Sequence, residues 1–198
     1  GGASFADASG PSSEDWFSVA ACGDTGTFYA VAHLGGIWKS TDKGASFTEI
    51  DSTDRYNTGL DCSADATKVV LVLSTTSYPL MSTDSGASFN EVTSVGTGQW
   101  ADACIDDSGS YTAVFLKAGS IVLYTGSDYT THNPNTTYSG YRECAISSDA
   151  SMIAVATRPR PGVAPDDRRA HDAVPRRQQR RGQQRRRATA PPGAVPRD

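Results

Sequence analysis

Three acidic side chains, Asp61, Asp102 and Glu143, fall on the first strand of successive sequence repeats. Two carboxylates flanking a glycosidic bond, one acting as acid and the other as base or nucleophile, are the machinery of most glycoside hydrolases. These three are therefore the catalytic candidates of the chain. Their positions within the repeat differ slightly, and solvated channel edges also carry acids, so a structural reading stands beside the catalytic one. The histidines His33, His132 and His171 have no Ser or Cys partner placed by any motif and read as surface or structural residues. Asn135-Thr136-Thr137 is a glycosylation sequon in a loop-like stretch, meaningful if the protein is secreted.

Cys22, Cys62, Cys104 and Cys144 occur once per repeat, each just ahead of a polar turn. Equivalent positions on packed sheets lie about 10 Å apart, whereas a disulfide needs Cα atoms within about 7 Å. The expectation is four small buried side chains on inner strands and no disulfide. Their spacing is also wrong for zinc. No metal or cofactor is called for.

The elements that position these residues are set by a repeat. Residues 40–47 read Ser-Thr-Asp-Lys-Gly-Ala-Ser-Phe and residues 82–89 read Ser-Thr-Asp-Ser-Gly-Ala-Ser-Phe. Residues 2–5, Gly-Ala-Ser-Phe, match the end of the same motif, so the chain reads as a fragment opening within a copy. Polar turns at 23–26, 63–66, 106–109 and 147–150 recur in phase, each followed by a short aliphatic run. Apolar runs of four to seven residues bounded by Gly, Asp and Ser are strand signals. Four strands per unit are expected at roughly 16–22, 28–34, 36–41 and 46–50, then 56–62, 68–74, 79–83 and 88–92. A third set follows at 100–105, 111–117, 120–125 and 128–131, and a partial fourth within 140–157. Four-stranded units at a period of about 40–45 residues are the arithmetic of β-propeller blades. The expected fold class is all-β: a partial propeller of about three and a half blades over residues 1–157 (1–5, 16–50, 56–92, 98–131 and 140–157), roughly six to eight blades when whole.

The eight-residue motif builds a hairpin between the third and fourth strands of a unit. Gly44 and Gly86 supply the positive φ of a tight turn. Asp42 and Asp84 accept backbone hydrogen bonds within it. Ser40, Ser46, Ser82 and Ser88 satisfy the remaining polar groups, and Phe47 and Phe89 tuck beneath. The motif resembles the Asp-box, or BNR repeat, of sialidases. The box also occurs in sortilin-type receptor domains, xyloglucan-active glycoside hydrolases and photosystem II assembly factors. The resemblance implies a propeller whose boxes lie on the periphery, away from the functional face. It further implies that a sialidase would need an arginine triad, a Tyr–Glu nucleophile pair and an Asp acid/base. Only Arg55 and Arg142 precede residue 158, so the chain is not expected to be a complete sialidase.

The chain has 198 residues and a formal net charge of −4, divided unevenly. Residues 158–198 hold 12 of the 18 basic side chains, all Arg, and four acids; the charge is −12 before residue 158 and +8 from it onward. All the aromatic residues lie before 158 and seven of the ten prolines after it. Such a segment cannot bury a core and is expected to be disordered. It reads either as an arginine-rich arm for RNA or another polyanion or, the favoured reading, as a GC-rich gene translated out of frame. No run approaches the roughly 20 apolar residues of a membrane helix, so a soluble protein is expected, with secretion or an organellar lumen left open. The function expected is a non-catalytic binding or scaffold module with a protein or glycan ligand on the propeller face. A carbohydrate-active hydrolase with catalytic residues in further blades is the alternative, and polyanion binding by the basic segment the third reading.

Overall fold

The computed structural model describes residues 8–11, 13–117, 119–126, 128–133 and 138–159. The sequon at Asn135, the Gly2–Phe5 segment and the basic segment from residue 160 lie outside them. The strands are β1 (Trp16–Cys22), β2 (Thr27–Ser40), β3 (Thr48–Cys62), β4 (Val69–Leu73), β5 (Leu80–Ser82) and β6 (Asn90–Glu91), then β7 (Trp100–Ile105), β8 (Thr112–Leu116), β9 (Ile121–Tyr124), β10 (Tyr129–His132), β11 (Tyr138–Ile146) and β12 (Ile153–Pro159). No α-helix occurs among the described residues; a single 3-10 turn spans Thr93–Val95. No helix among the described residues is long and apolar enough to cross a membrane.

Every named strand pairing is antiparallel, as short turns between consecutive strands require. β7 to β10 form one four-stranded sheet in sequence order. The first two units are joined by hydrogen bonding into a six-stranded sheet, β1 to β6. The reason is that segments expected to be separate are continuous. β2 runs through both 28–34 and 36–41, bending where Leu34 takes φ 56° and the pairing register shifts at Gly35. β3 carries the last strand of the first unit directly into the first strand of the second. Gly36 permits this approach, because a side chain there would collide with the Asp51 carbonyl. At the other end β12 continues through Pro159, two residues into the segment expected to be disordered.

The core lies between units. β4, Val-Val-Leu-Val-Leu, is buried along its whole length. Its side chains alternate: Val69, Leu71 and Leu73 join Tyr29, Val31 and Ile37 in one cluster, while Val70 and Val72 join Trp100, Ile105 and Val114 in a second. A strand covered on both faces reads as a continuous apolar run, with no polar alternation. A third cluster gathers Phe115, Ile121 and Cys104 against Tyr141, with Cys144, Ile146 and Val155 packed alongside.

The cysteine expectation is corrected. Cys22 and Cys62 form a disulfide, with an S–S distance of 2.02 Å and Cα atoms 5.5 Å apart. The 10 Å spacing describes sheets stacked face to face. Here the first strands of adjoining units come much closer, and one cysteine on each points into the gap. Cys104, which is buried, and Cys144, which is partly exposed, are free thiols.

Candidate functional site

The three candidate acids are brought together. Asp61, Asp102 and Glu143 line one cavity of about 1030 Å³, formed along the first strands of the second, third and fourth units. Lys117, Arg142 and Tyr141 share its wall, and Phe17 and Val19 of β1 close one side. The cavity thus offers charges of both signs beside apolar surface.

The acids differ in their environments. Asp61 is largely buried, and its carboxylate accepts the N–H groups of Cys62 (2.8 Å) and Ile105 (2.9 Å). Burial pushes its pKa up, opposed by those two hydrogen bonds. Asp102 accepts the N–H of Cys144 at 2.7 Å. Burial is the main cause raising it to about 6, and the neighbouring Asp61 charge adds to the effect. A side chain at Gly59 would collide with the Asp102 carboxylate, so that glycine makes room for it. Glu143 is exposed. Asp61 and Asp102 each tie their own unit to the backbone of the next. Thr58 Oγ1 adds a similar link, donating to the carbonyls of Val72 (3.2 Å) and Trp100 (3.1 Å). Of the two arginines before residue 158, Arg55 pairs with Asp51 at 2.9 Å, and Arg142 reaches the cavity wall.

The eight-residue turns lie away from this cavity. Ser40 Oγ donates to Asp42 Oδ1 at 2.7 Å and accepts the Gly44 N–H at 2.9 Å. Asp42 Oδ1 also accepts the Ser46 N–H at 2.9 Å. Ser82, Asp84, Gly86 and Ser88 repeat the pattern, with Ser82 to Asp84 at 2.8 Å and the Ser88 N–H to Asp84 at 2.9 Å. The Ser46 and Ser88 hydroxyls, first among several donors, lower Asp42 and Asp84 to about 2. Gly44 and Gly86 both take φ 84°, and the residues before them, Lys43 and Ser85, are also left-handed at 64° and 59°. Two consecutive positive φ values define the primed turn that matches strand twist.

The two aromatic rings are placed differently. Both are half-buried, but Phe89 packs against the first core cluster, whereas Phe47 lies 6.4 Å from the exposed Trp16 ring. Sequence reasoning missed two lysines that bridge units. Lys39 Nζ donates to the Ser85 carbonyl and Lys68 Nζ to the Gly109 carbonyl, both at 2.8 Å. Lys39 directly precedes the 40–47 motif and Lys68 follows the 63–66 turn, but nothing beside either residue marks the carbonyl one unit away that it reaches. No group of three or more potential metal ligands occurs among the described residues.

No family pattern matches the sequence, and no curated protein is similar to it. Solved structures are similar in fold. The chain matches the Niastella koreensis GH74 enzyme with a TM-score of 0.57 at 21% identity, over 72% of this chain and 26% of that one. It matches TolB from Acinetobacter baumannii at TM-score 0.59 and 17% identity, over 75% and 39%. YCF48 bound to D1 peptide gives a TM-score of 0.51 at 14% identity, over 70% and 46%. The class these define is the β-propeller. The chain spans about a quarter of the length of the GH74 enzyme and under half of the other two, and at these identities the likeness shows the fold alone.

Proposed function

We propose that this chain is part of a non-catalytic Asp-box β-propeller whose inner-strand cavity binds a protein or glycan ligand. The observation that carries the reading is the state of the acids. Asp61 and Asp102 each accept an inter-unit backbone N–H, and a carboxylate so engaged serves packing before chemistry. The remaining wall, with Tyr141, Arg142, Lys117 and Glu143, has the mixture of aromatic and polar groups that recognises sugars or polar peptide segments. The Cys22–Cys62 disulfide supports an oxidising compartment, extracellular or luminal. The test is binding to a glycan array and to peptide libraries alongside release of a reporter sugar. Binding without release is the expected outcome, lost on replacing Arg142 and Tyr141.

A second reading, a carbohydrate-active hydrolase, is favoured by Asp102, whose pKa of about 6 suits a general acid. Sugar release abolished by Asp102→Asn would establish it in place of the first.

A further inference from the structure

Side chains on a strand alternate between its two faces, which sorts the residues of each unit's first strand by the neighbour they address. In β3, Leu60 and Cys62 face back into the first cluster, while Asp61 reaches forward to the Ile105 N–H. In β7, Ala103 and Ile105 face back into the second cluster; Asp102 reaches forward to the Cys144 N–H, and Cys104 lies in the third cluster with them. In β11, Cys144 and Ile146 pack back against that same cluster. Cys104 therefore looks forward and Cys144 looks back across one junction. Cys22 and Cys62 stand in that relation across the first junction, where they are bonded. The sequence spacing of the two pairs is also the same, 40 residues. The middle junction has no such pair, and there the forward position is held by Asp61.

We infer that Cys104 and Cys144 are the two halves of a second inter-unit disulfide, a redox-sensitive modification site linking the third and fourth units. Cys104 is buried, whereas Cys144 is partly exposed and lines the cavity, so an oxidant meets Cys144 first. With glutathione disulfide as oxidant, the Cys144 thiolate attacks one glutathione sulfur and expels a glutathione thiolate, leaving a mixed disulfide. The Cys104 thiolate then attacks the Cys144 sulfur and expels the second. Two electrons pass to glutathione, and the two protons lost by the cysteines are matched by those the glutathione thiolates take up. The groups facing the pair are the Asp102 carboxylate and the apolar side chains of the third cluster. Burial first, and then the Cys104 thiol beside it, push the Cys144 thiol well above the usual range. Thiolate is scarce as a result, and exchange in the folded protein is slow at neutral pH.

The full chain is incubated with glutathione disulfide, quenched by alkylation in denaturant, digested without reduction and mapped by mass spectrometry. The expected result is loss of alkylation at Cys104 and Cys144 as a Cys104–Cys144 peptide accumulates, with Cys22–Cys62 unchanged. The rate is expected to rise about tenfold per pH unit from neutral to mildly alkaline conditions. The reduced chain oxidised in guanidinium gives the reference mixture of pairings. Persistence of both thiols, arrest at a glutathione adduct on Cys144, or pairings no more selective than the guanidinium mixture would overturn the inference.

Discussion

The junction between the first and second units and the one between the second and third hold similar strands together by different chemistry. The first carries a covalent link: Cys22–Cys62 crosses it inside the cluster of Tyr29, Val31, Ile37, Leu60 and Leu71, with Lys39 donating to the Ser85 carbonyl alongside. The second has an apolar cluster around Trp100, but it is fastened by polar groups, Asp61 to the Ile105 N–H, Thr58 to the Trp100 carbonyl and Lys68 to the Gly109 carbonyl. A crosslink acts largely on the unfolded chain by restricting it. A buried carboxylate acts on the folded chain by satisfying donors that would otherwise be stranded. Two junctions of one repeat can therefore have comparable strength and very different sensitivity to redox state and pH.

The largest effect should come from breaking the crosslink. Closing a loop of 40 residues is worth about 4 kcal/mol in the chain-entropy description. The double variant Cys22→Ala/Cys62→Ala should lose most of that in denaturant melts, and a reductant should have no further effect on it while Cys104 and Cys144 are kept as thiols. Loss below about 1 kcal/mol would erase the distinction between the two junctions.

Next comes Asp61→Ala, which strands two N–H groups and should cost about 2–3 kcal/mol. Asp61→Asn keeps an acceptor oxygen and should cost clearly less; equal losses would mean that the carboxylate contributes by charge and not by accepting hydrogen bonds. A third comparison concerns area. Phe89 packs on the first junction's cluster and Phe47 does not, so Phe89→Ala should lose about 2 kcal/mol, Phe47→Ala less, and Asp42→Ala least.

The smallest effect is a pH dependence at the next junction along, where Asp102 ties the third unit to the fourth. In an unfolded chain an Asp titrates near 4, whereas burial holds Asp102 at about 6. Between those values the folded protein binds the proton more tightly, so stability falls as pH rises through that window. Asp102→Asn cannot ionise and should flatten the fall, by about 1–2 kcal/mol after allowing for partial exposure. The turn acids act in the opposite sense: Asp42 and Asp84, held near 2, contribute stability above pH 4 that is lost toward pH 2. Melts of wild type and Asp102→Asn at pH 4 and 7 check the sign.

Much of the fold could be read from residue order because turns and strands are local. Gly, Asp and Ser at four phased positions bound the strands, and Val69 to Leu73 announces burial on both faces. What escaped depends on which face a residue occupies and how closely two strands approach. Cys22 and Cys62 were treated as equivalent because each precedes a turn, yet Cys22 is the last residue before its turn, pairing with Thr27, whereas Ser63 holds that place in the second unit, its N–H bonded to the Lys68 carbonyl, and Cys62 stands one residue earlier. That difference changes the face by one residue and makes the cysteines confront each other. The site candidates Asp61, Asp102 and Glu143 do gather at one cavity, because all lie on first strands. The hydrogen bonds of Asp61 and Asp102 to backbone N–H groups were hidden, since a backbone donor leaves no mark on the neighbouring sequence. The continuity of β2 and β3 was hidden for a like reason: Gly35, Gly36 and Asp51 to Arg55 look like turn residues but hold an extended, bent backbone.

The Cys22–Cys62 bond also has a mechanical consequence. It encloses β2 and nearly all of β3, the two longest strands. Tension along the chain enters at Cys22 and leaves at Cys62 through the sulfurs, so the enclosed 40-residue loop bears no load. About 140 Å of extensible length is thereby withheld from any pulling force until the bond is reduced, and this part of the molecule behaves as a rigid rivet in an otherwise extensible tether.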